Sequence, residues 1–138
     1  MTKAYISISY NKRQELNGEL QSIIDTLKAF HIKPFVFVDT FKFTSEQEKE
    51  MMQQAISAID DCDLLIAERS HKAIGIGIEV GYAKAKGKRV IYMRNRNTEH
   101  STTVSGISDS QIIYKDEVDL KQQLSGVLYG MINSADRI

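Results

Sequence analysis

The feature that most constrains this chain is an alternation that runs its whole length: short β-rich apolar runs separated by segments whose apolar residues recur at helical spacing. Ala4–Ser9 reads as a first strand. Asn11, with Gln14 three residues on, has the pattern of a capping box, and Leu16, Leu20, Ile23, Ile24 and Leu27 then share one helical face. Pro34 opens a second strand, Phe35–Val38, apolar enough to be buried on both faces. Ser45 and Glu48 form a second capping box, for a helix running to about Asp61. Leu64–Ala67 is the third strand, Glu79–Lys86 a short helix closed by Gly87, and Arg89–Met93 and Gln111–Tyr114 are the fourth and fifth strands. Val118–Ile132 is a closing helix. Strands alternating with helices join through right-handed crossovers into a parallel sheet covered on both faces.

Composition removes several function classes. Lys+Arg and Asp+Glu are both 18, so the formal net charge is zero and nothing draws the chain to nucleic acid or anionic lipid. The same neutrality leaves little repulsion between copies, and a homodimer or larger homo-oligomer is expected. One cysteine, Cys62, excludes an intrachain disulfide, and its place between Asp61 and Asp63 marks it as structural. No two histidines have metal-ligand spacing, so no metal is expected; no other cofactor is expected either. The start, Met-Thr-Lys followed by an alternating run, lacks a signal-peptide core, and no stretch is long and apolar enough to span a bilayer. The expectation is a cytoplasmic protein of one domain, residues 1–138.

In sheets of this kind, ligands bind outside the carboxyl ends of the strands. That rule selects the segments 9–13, 39–43, 69–79 and 94–110. The most informative is Ala73-Ile-Gly-Ile-Gly-Ile-Glu79-Val-Gly-Tyr-Ala83. Gly75 and Gly77 remove side chains just before the expected helix and let a ligand approach the backbone. Glu79 falls in that helix's first turn, where the macrodipole favours an ionised carboxylate, and Gly81 lets the helix lie close to the sheet. The spacing G-x-G-x-x-x-G after a third strand is neither the dinucleotide fingerprint nor a P-loop. A glycine turn with a capping glutamate explains the same residues without a ligand.

Glu68 at the end of a strand, then Gly-Ile-Gly-Ile-Glu79-Val-Gly-Tyr-Ala-Lys-Ala-Lys-Gly-Lys-Arg-Val-Ile-Tyr-Met93, resembles the nucleoside 2-deoxyribosyltransferase superfamily, which includes 2'-deoxynucleoside 5'-phosphate N-hydrolases. Gly106-Ile-Ser-Asp109 and Tyr5-Ile-Ser-Ile-Ser9 are similar to it as well. The resemblance implies a single flavodoxin-like α/β domain, with a five-stranded parallel sheet and helices on both faces. It implies chemistry at an N-glycosidic bond: Glu79 attacks the anomeric carbon, the base leaves, and water or a second base resolves a glycosyl–enzyme intermediate. The partner implied is a small-molecule nucleoside or nucleotide. Ser9 matches a polar ligand position, and Ser101 or Thr102 falls near another.

Two positions depart from the family pattern. Ala55 stands where the family carries an aspartate for proton transfer to the base, and Ala73 where it carries a polar ligand to the sugar or its phosphate. Asp39, at the carboxyl end of the second strand, is the substitute acid expected from the sequence. Tyr5 and Tyr10 are placed to stack on a base, although Tyr5 also reads as core. Arg94-Asn-Arg-Asn97 reads either as a phosphate site or as a solvated loop, and Ser70-His71-Lys72 as a loop that closes over ligand or as plain surface. Three functions stay open: cleavage or exchange of the base of a deoxynucleoside or its 5'-phosphate, TIR-like cleavage of NAD, and a non-catalytic nucleotide sensor favoured by Ala55 and Ala73.

Overall fold

A computed structural model describes residues 3–136. The order of elements is β1 (Lys3–Ile8), a 3₁₀ turn (Arg13–Leu16), α1 (Asn17–Ala29), β2 (Lys33–Val36), α2 (Phe37–Thr40) and α3 (Glu48–Asp60). These are followed by β3 (Leu64–Glu68), α4 (Ile74–Ala85), β4 (Arg89–Asn95), α5 (Thr102–Ile107), β5 (Ser110–Tyr114) and α6 (Glu117–Asp136). The five strands form one sheet in the order β2-β1-β3-β4-β5, every neighbouring pair parallel. This is the doubly wound, flavodoxin-like order, and it reverses direction between β1 and β3, where such sheets open a crevice.

The two faces carry separate apolar layers. Ile6 and Ile8 of β1, with Ile66 and Ile91, meet Leu20, Ile23 and Leu27 of α1 and Leu124 and Leu128 of α6. On the other face Tyr5, Leu65, Ala67 and Tyr92 meet Ala55 and Ile59 of α3 and Ile76, Val80 and Ala83 of α4. All five residues of β3 are buried, as expected of the central strand of a sheet covered on both sides. No helix among the described residues is long and apolar enough to cross a membrane.

Four local expectations are corrected. The second strand is Lys33–Val36 and half-exposed, not a fully buried Phe35–Val38. It lies at the sheet edge with β1 as its one partner, and pairing stops at Ile6–Val36. An edge is also where a strand tolerates Pro34. Past that point Phe37–Thr40 coils into a helical turn, and Phe37, Phe41 and Phe43 pack on one another. Asn11 caps nothing: a 3₁₀ turn precedes α1, and the loop is held instead by Ser9 Oγ, which accepts from the Lys12 N–H at 3.3 Å. Ser45 and Glu48 form no capping box either: a turn precedes α3, closed by the Gln47 N–H donating to the Thr44 carbonyl at 3.0 Å and the Thr44 N–H donating to Gln47 Oε1 at 2.8 Å.

The fourth correction bears on function. The α4 helix begins at Ile74 rather than Glu79, so Gly75 and Gly77 lie inside it and Glu79 is in its second turn. Ile76 anchors this early start by burying itself against the sheet face. A Cβ at Gly75, Gly77 or Gly81 would meet nothing within 4 Å, so packing within the chain imposes none of these glycines, and Gly81 is not a close-approach residue. Gly87, at φ +74°, closes α4 as expected, with Lys88 and Gly87 donating to the Ala83 and Lys84 carbonyls.

Candidate active site

Strand periodicity builds the floor of the site. Tyr5 and Ser7 are two apart in β1, so both side chains leave the sheet on the face that α4 covers. Glu79 lies one residue before Val80 and three after Ile76, at the margin of the helix's buried stripe, and is itself half-buried. The Tyr5 hydroxyl donates to Glu79 Oε2, and Ser7 Oγ donates to Oε1 at 2.7 Å. Two donors from one strand thus fix both carboxylate oxygens.

The electrostatics differ from the expectation of a helix terminus holding Glu79 ionised. With Glu79 in the second turn, burial is the first influence and pushes its carboxyl above the ordinary value, while the Tyr5 and Ser7 hydrogen bonds pull it back. Burial and the neighbouring Glu79 carboxylate together push the Tyr5 phenol far up, so Tyr5 stays a donor. Burial likewise raises the Cys62 thiol to about 11, with Asp61 and Asp63 adding to it, which keeps that cysteine inert.

Glu79 borders a cavity of about 730 Å³ at the β1–β3 reversal. Phe37, Phe41, Phe43 and Met51 form an apolar wall, and Ala55, almost fully buried, belongs to the same lining. The polar lining comes from the loops after β1 and β3: Ser9, Tyr10, Asn11, Lys12, His71 and Lys72. Among the described residues, Glu79 is the only acidic side chain lining the cavity. Among the described residues no group of three or more His, Cys, Asp or Glu could hold a metal ion.

Of the residues singled out from sequence, the fold brings Ser9, Tyr10, Gly75 and Glu79 to the cavity, with Tyr5 bonded beneath Glu79. Gly77 is exposed and lies outside the lining. Asp39 is also outside it: in α2 its two oxygens accept from Arg13 Nε and an Arg13 terminal nitrogen at 2.8 and 2.7 Å. Ser101 caps α5 by accepting from the Val104 N–H and donates its own N–H to the Tyr92 hydroxyl at 2.9 Å. Neither Ser101 nor Thr102 lines the cavity. Arg94 is turned inward, donating to the Thr98 carbonyl at 2.8 Å. Ser7 and Lys12 were missed from sequence, although Ser7 carried a usable signal in its i+2 spacing from Tyr5.

With this geometry in place, comparison with known proteins is informative. Residues 5–131 match the nucleoside 2-deoxyribosyltransferase family. The chain belongs to that family. Over 90 residues it is 28% identical to a Thermofilum pendens protein to which 2'-deoxynucleoside 5'-phosphate N-hydrolase activity is ascribed. That match spans 62% of this chain and 63% of the relative, so more than a third of the relative lies outside it. A CMP N-glycosidase of Clostridium botulinum superposes with a TM-score of 0.65 at 25% identity, covering 89% of this chain and 98% of that one. A 2-deoxyribosyltransferase of Leishmania mexicana shares the fold, with a TM-score of 0.54 at 20% identity over 75% of this chain and 77% of that one.

Proposed function

We propose that this family member is an enzyme that breaks the base–sugar bond of a (deoxy)nucleoside or its 5'-phosphate, with Glu79 as nucleophile. One observation carries the reading: a carboxylate fixed by two donors, Tyr5 and Ser7, borders a cavity in which it is the only acid among the described residues. A carboxylate has about four acceptor sites, so two remain for the reacting carbon. Glu79 attacks the anomeric carbon and the C–N bond breaks, its electron pair leaving with the base. The glycosyl ester on Glu79 is then opened by water, giving hydrolysis, or by a second base, giving transfer. The apolar wall of Phe37, Phe41 and Phe43 suits the faces of a base.

A second reading, a nucleotide sensor without chemistry, is favoured by Ala55, which brings no proton donor to the lining. One experiment separates the two. Incubating the protein with the common 2'-deoxynucleosides, their 5'-monophosphates and NAD, and assaying both free base and binding, is expected to give base release from at least one nucleoside or nucleotide. Binding without release would establish the sensor, and release of nicotinamide alone would move the bond to NAD. If the site is catalytic, Ala55→Asp should raise the rate for bases that leave poorly unless protonated, toward the ~10²–10⁴-fold typical of a general acid.

A further inference from the structure

The charges around the cavity balance everywhere but at one residue. Lys12 and Lys72 line it, and each has an acid of its own: Glu15 Oε2 lies 3.9 Å from Lys12 Nζ, and Glu99 Oε2 lies 3.6 Å from Lys72 Nζ. His71 Nε2, also in the lining, stands 4.0 Å from the same Glu15 oxygen. Arg13, outside the lining, is taken by Asp39. Glu79 is different. Its two donors, the Tyr5 and Ser7 hydroxyls, are neutral, and among the described residues no cation pairs with it. The uncompensated charge at the cavity is therefore negative. It is also half-buried, where an opposite charge is attracted more strongly than it is in water.

The wall of the cavity suits the same kind of partner. Every residue that segment 37–55 gives to the lining is apolar, from the three phenylalanines to Met51, Met52 and Ala55. Phe37, Phe41 and Phe43 form a trio, with ring centroids 5.4, 6.1 and 5.9 Å apart. Aromatic rings attract a cation placed over their faces, and more so when it is desolvated. No side chain of this wall carries a proton that it could give to a departing base. A neutral purine leaves slowly without such a proton. A base that is already positively charged does not need one.

We infer that the cavity selects a nucleoside, free or as its 5'-phosphate, whose base carries a fixed positive charge, as an N7-alkylated purine does. This rests on the reading of Glu79 as nucleophile and names the leaving group. The cationic ring lies against the phenylalanine trio, and the Glu79 carboxylate offsets its charge. When Glu79 attacks the anomeric carbon, the bond from that carbon to N9 breaks and its electron pair stays on N9, cancelling the charge of the ring. The alkylated purine departs neutral, and no proton is transferred. Water then opens the glycosyl ester: its oxygen stays on the sugar, a proton passes to solvent, and the Glu79 carboxylate returns. Ala55 fits this chemistry, because the substrate brings the charge that an acid would otherwise supply.

Binding and chemistry are tested apart. Calorimetry on the wild-type chain uses carbocyclic 7-methyl-2'-deoxyguanosine, a cation in which a ring carbon replaces the sugar oxygen so that the base cannot leave. Its control is the carbocyclic 7-deaza-7-methyl compound, which has the same shape and no charge. The cation should bind roughly 10²-fold more tightly than the control. Glu79→Gln should narrow that ratio about tenfold by removing the anion, and Phe41→Leu should narrow it severalfold by removing a ring. In parallel, base release by the wild type is followed from 7-methyl-2'-deoxyguanosine and 2'-deoxyguanosine, each corrected for its uncatalysed rate, and 7-methylguanine should appear far faster than guanine. A binding ratio near one, or a ratio that Glu79→Gln leaves unchanged, overturns the inference even if the wild type releases ordinary bases. Guanine released as fast as 7-methylguanine overturns it as well, for a proton donor would then be at work. A high binding ratio with no base released from either nucleoside upholds the cation site and overturns the catalytic reading.

Discussion

Glu68, buried, and Glu79, half-buried, are two carboxylates at the same edge of one sheet, and they have opposite fates. Glu68 ends β3 on the α1–α6 side, is 1% exposed, and accepts from the Ser70 N–H and Ser70 Oγ, each at 2.8 Å, and from the Tyr114 hydroxyl. Glu79 accepts from two hydroxyls and keeps one side toward the cavity. Burial raises both carboxyls above the ordinary value. What differs is where the remaining acceptor capacity points. The Glu68 donors close a structural knot, for Ser70 Oγ also accepts from the Asn95 N–H at 2.9 Å and so holds the loop that carries His71 and Lys72. A buried acid on its own is therefore no sign of a reactive one; an open coordination site is.

Substitution should separate the two most strongly. Glu79→Ala is expected to lower base release by ~10⁴-fold or more while the chain stays folded by circular dichroism. Glu68→Gln is expected to do the reverse, destabilising the fold by roughly 1–3 kcal/mol by setting an amide among the three donors, read as a lower denaturation midpoint. A Glu68→Gln protein as stable as wild type, or a Glu79→Ala protein of full activity, would dissolve the distinction.

Tyr5→Phe tests the next layer. Removing a hydrogen bond to a charged group is worth roughly 1.5–3 kcal/mol, so the rate should fall about 10- to 150-fold with little change in substrate affinity. A loss confined to affinity would make Tyr5 a ligand contact instead of the group that positions Glu79.

The pH dependence has a definite sign. The folded chain holds the Glu79 proton more tightly than the unfolded one, whose carboxyl has the ordinary value of 4.5. The resulting stabilisation is full below pH 4.5 and is lost as pH rises through the raised folded value. Glu79→Gln removes this titration, so its stability relative to wild type should increase from pH 4 toward neutrality; a flat or falling difference would contradict the direction. The acid limb of kcat/KM should likewise lie above pH 4.5, because the nucleophile must be ionised. The smallest effect expected is that of Asp39→Asn, which breaks a half-exposed pair with Arg13 and should change stability by less than about 1 kcal/mol, with base release within a few-fold of wild type. A large loss of rate there would restore Asp39 as the proton donor.

The fold was legible wherever burial is two-sided. The runs of β1, β3 and β4 and the closing glycine of α4 carry their pattern in sequence, because the same residues meet a layer on each face. Legibility failed at the edge. The apolar residues after Pro34 read as a continued strand, whereas an edge strand with one partner lets Phe37 turn away and join Phe41 and Phe43. That error carried Asp39 toward the cavity on paper, while the helical turn of α2 gives it to Arg13. The start of α4 was hidden because Gly75 and Gly77 disfavour a helix locally, and only the tertiary burial of Ile76 overrides them. Glu79 and its partner Tyr5 stood out in the sequence; Ser7 was passed over, although its i+2 spacing from Tyr5 puts it on the same face of the strand.

The claim that Glu79 is the nucleophile is tested most directly by intact-mass and peptide mass spectrometry of the wild-type chain, acid-quenched during turnover of the substrate that gives the fastest base release. A covalent adduct that adds the mass of the substrate less that of the released free base is expected on the peptide containing Glu79, and no adduct is expected in Glu79→Gln. Base release at the wild-type rate by Glu79→Gln, or an adduct mapped to another residue, would contradict it.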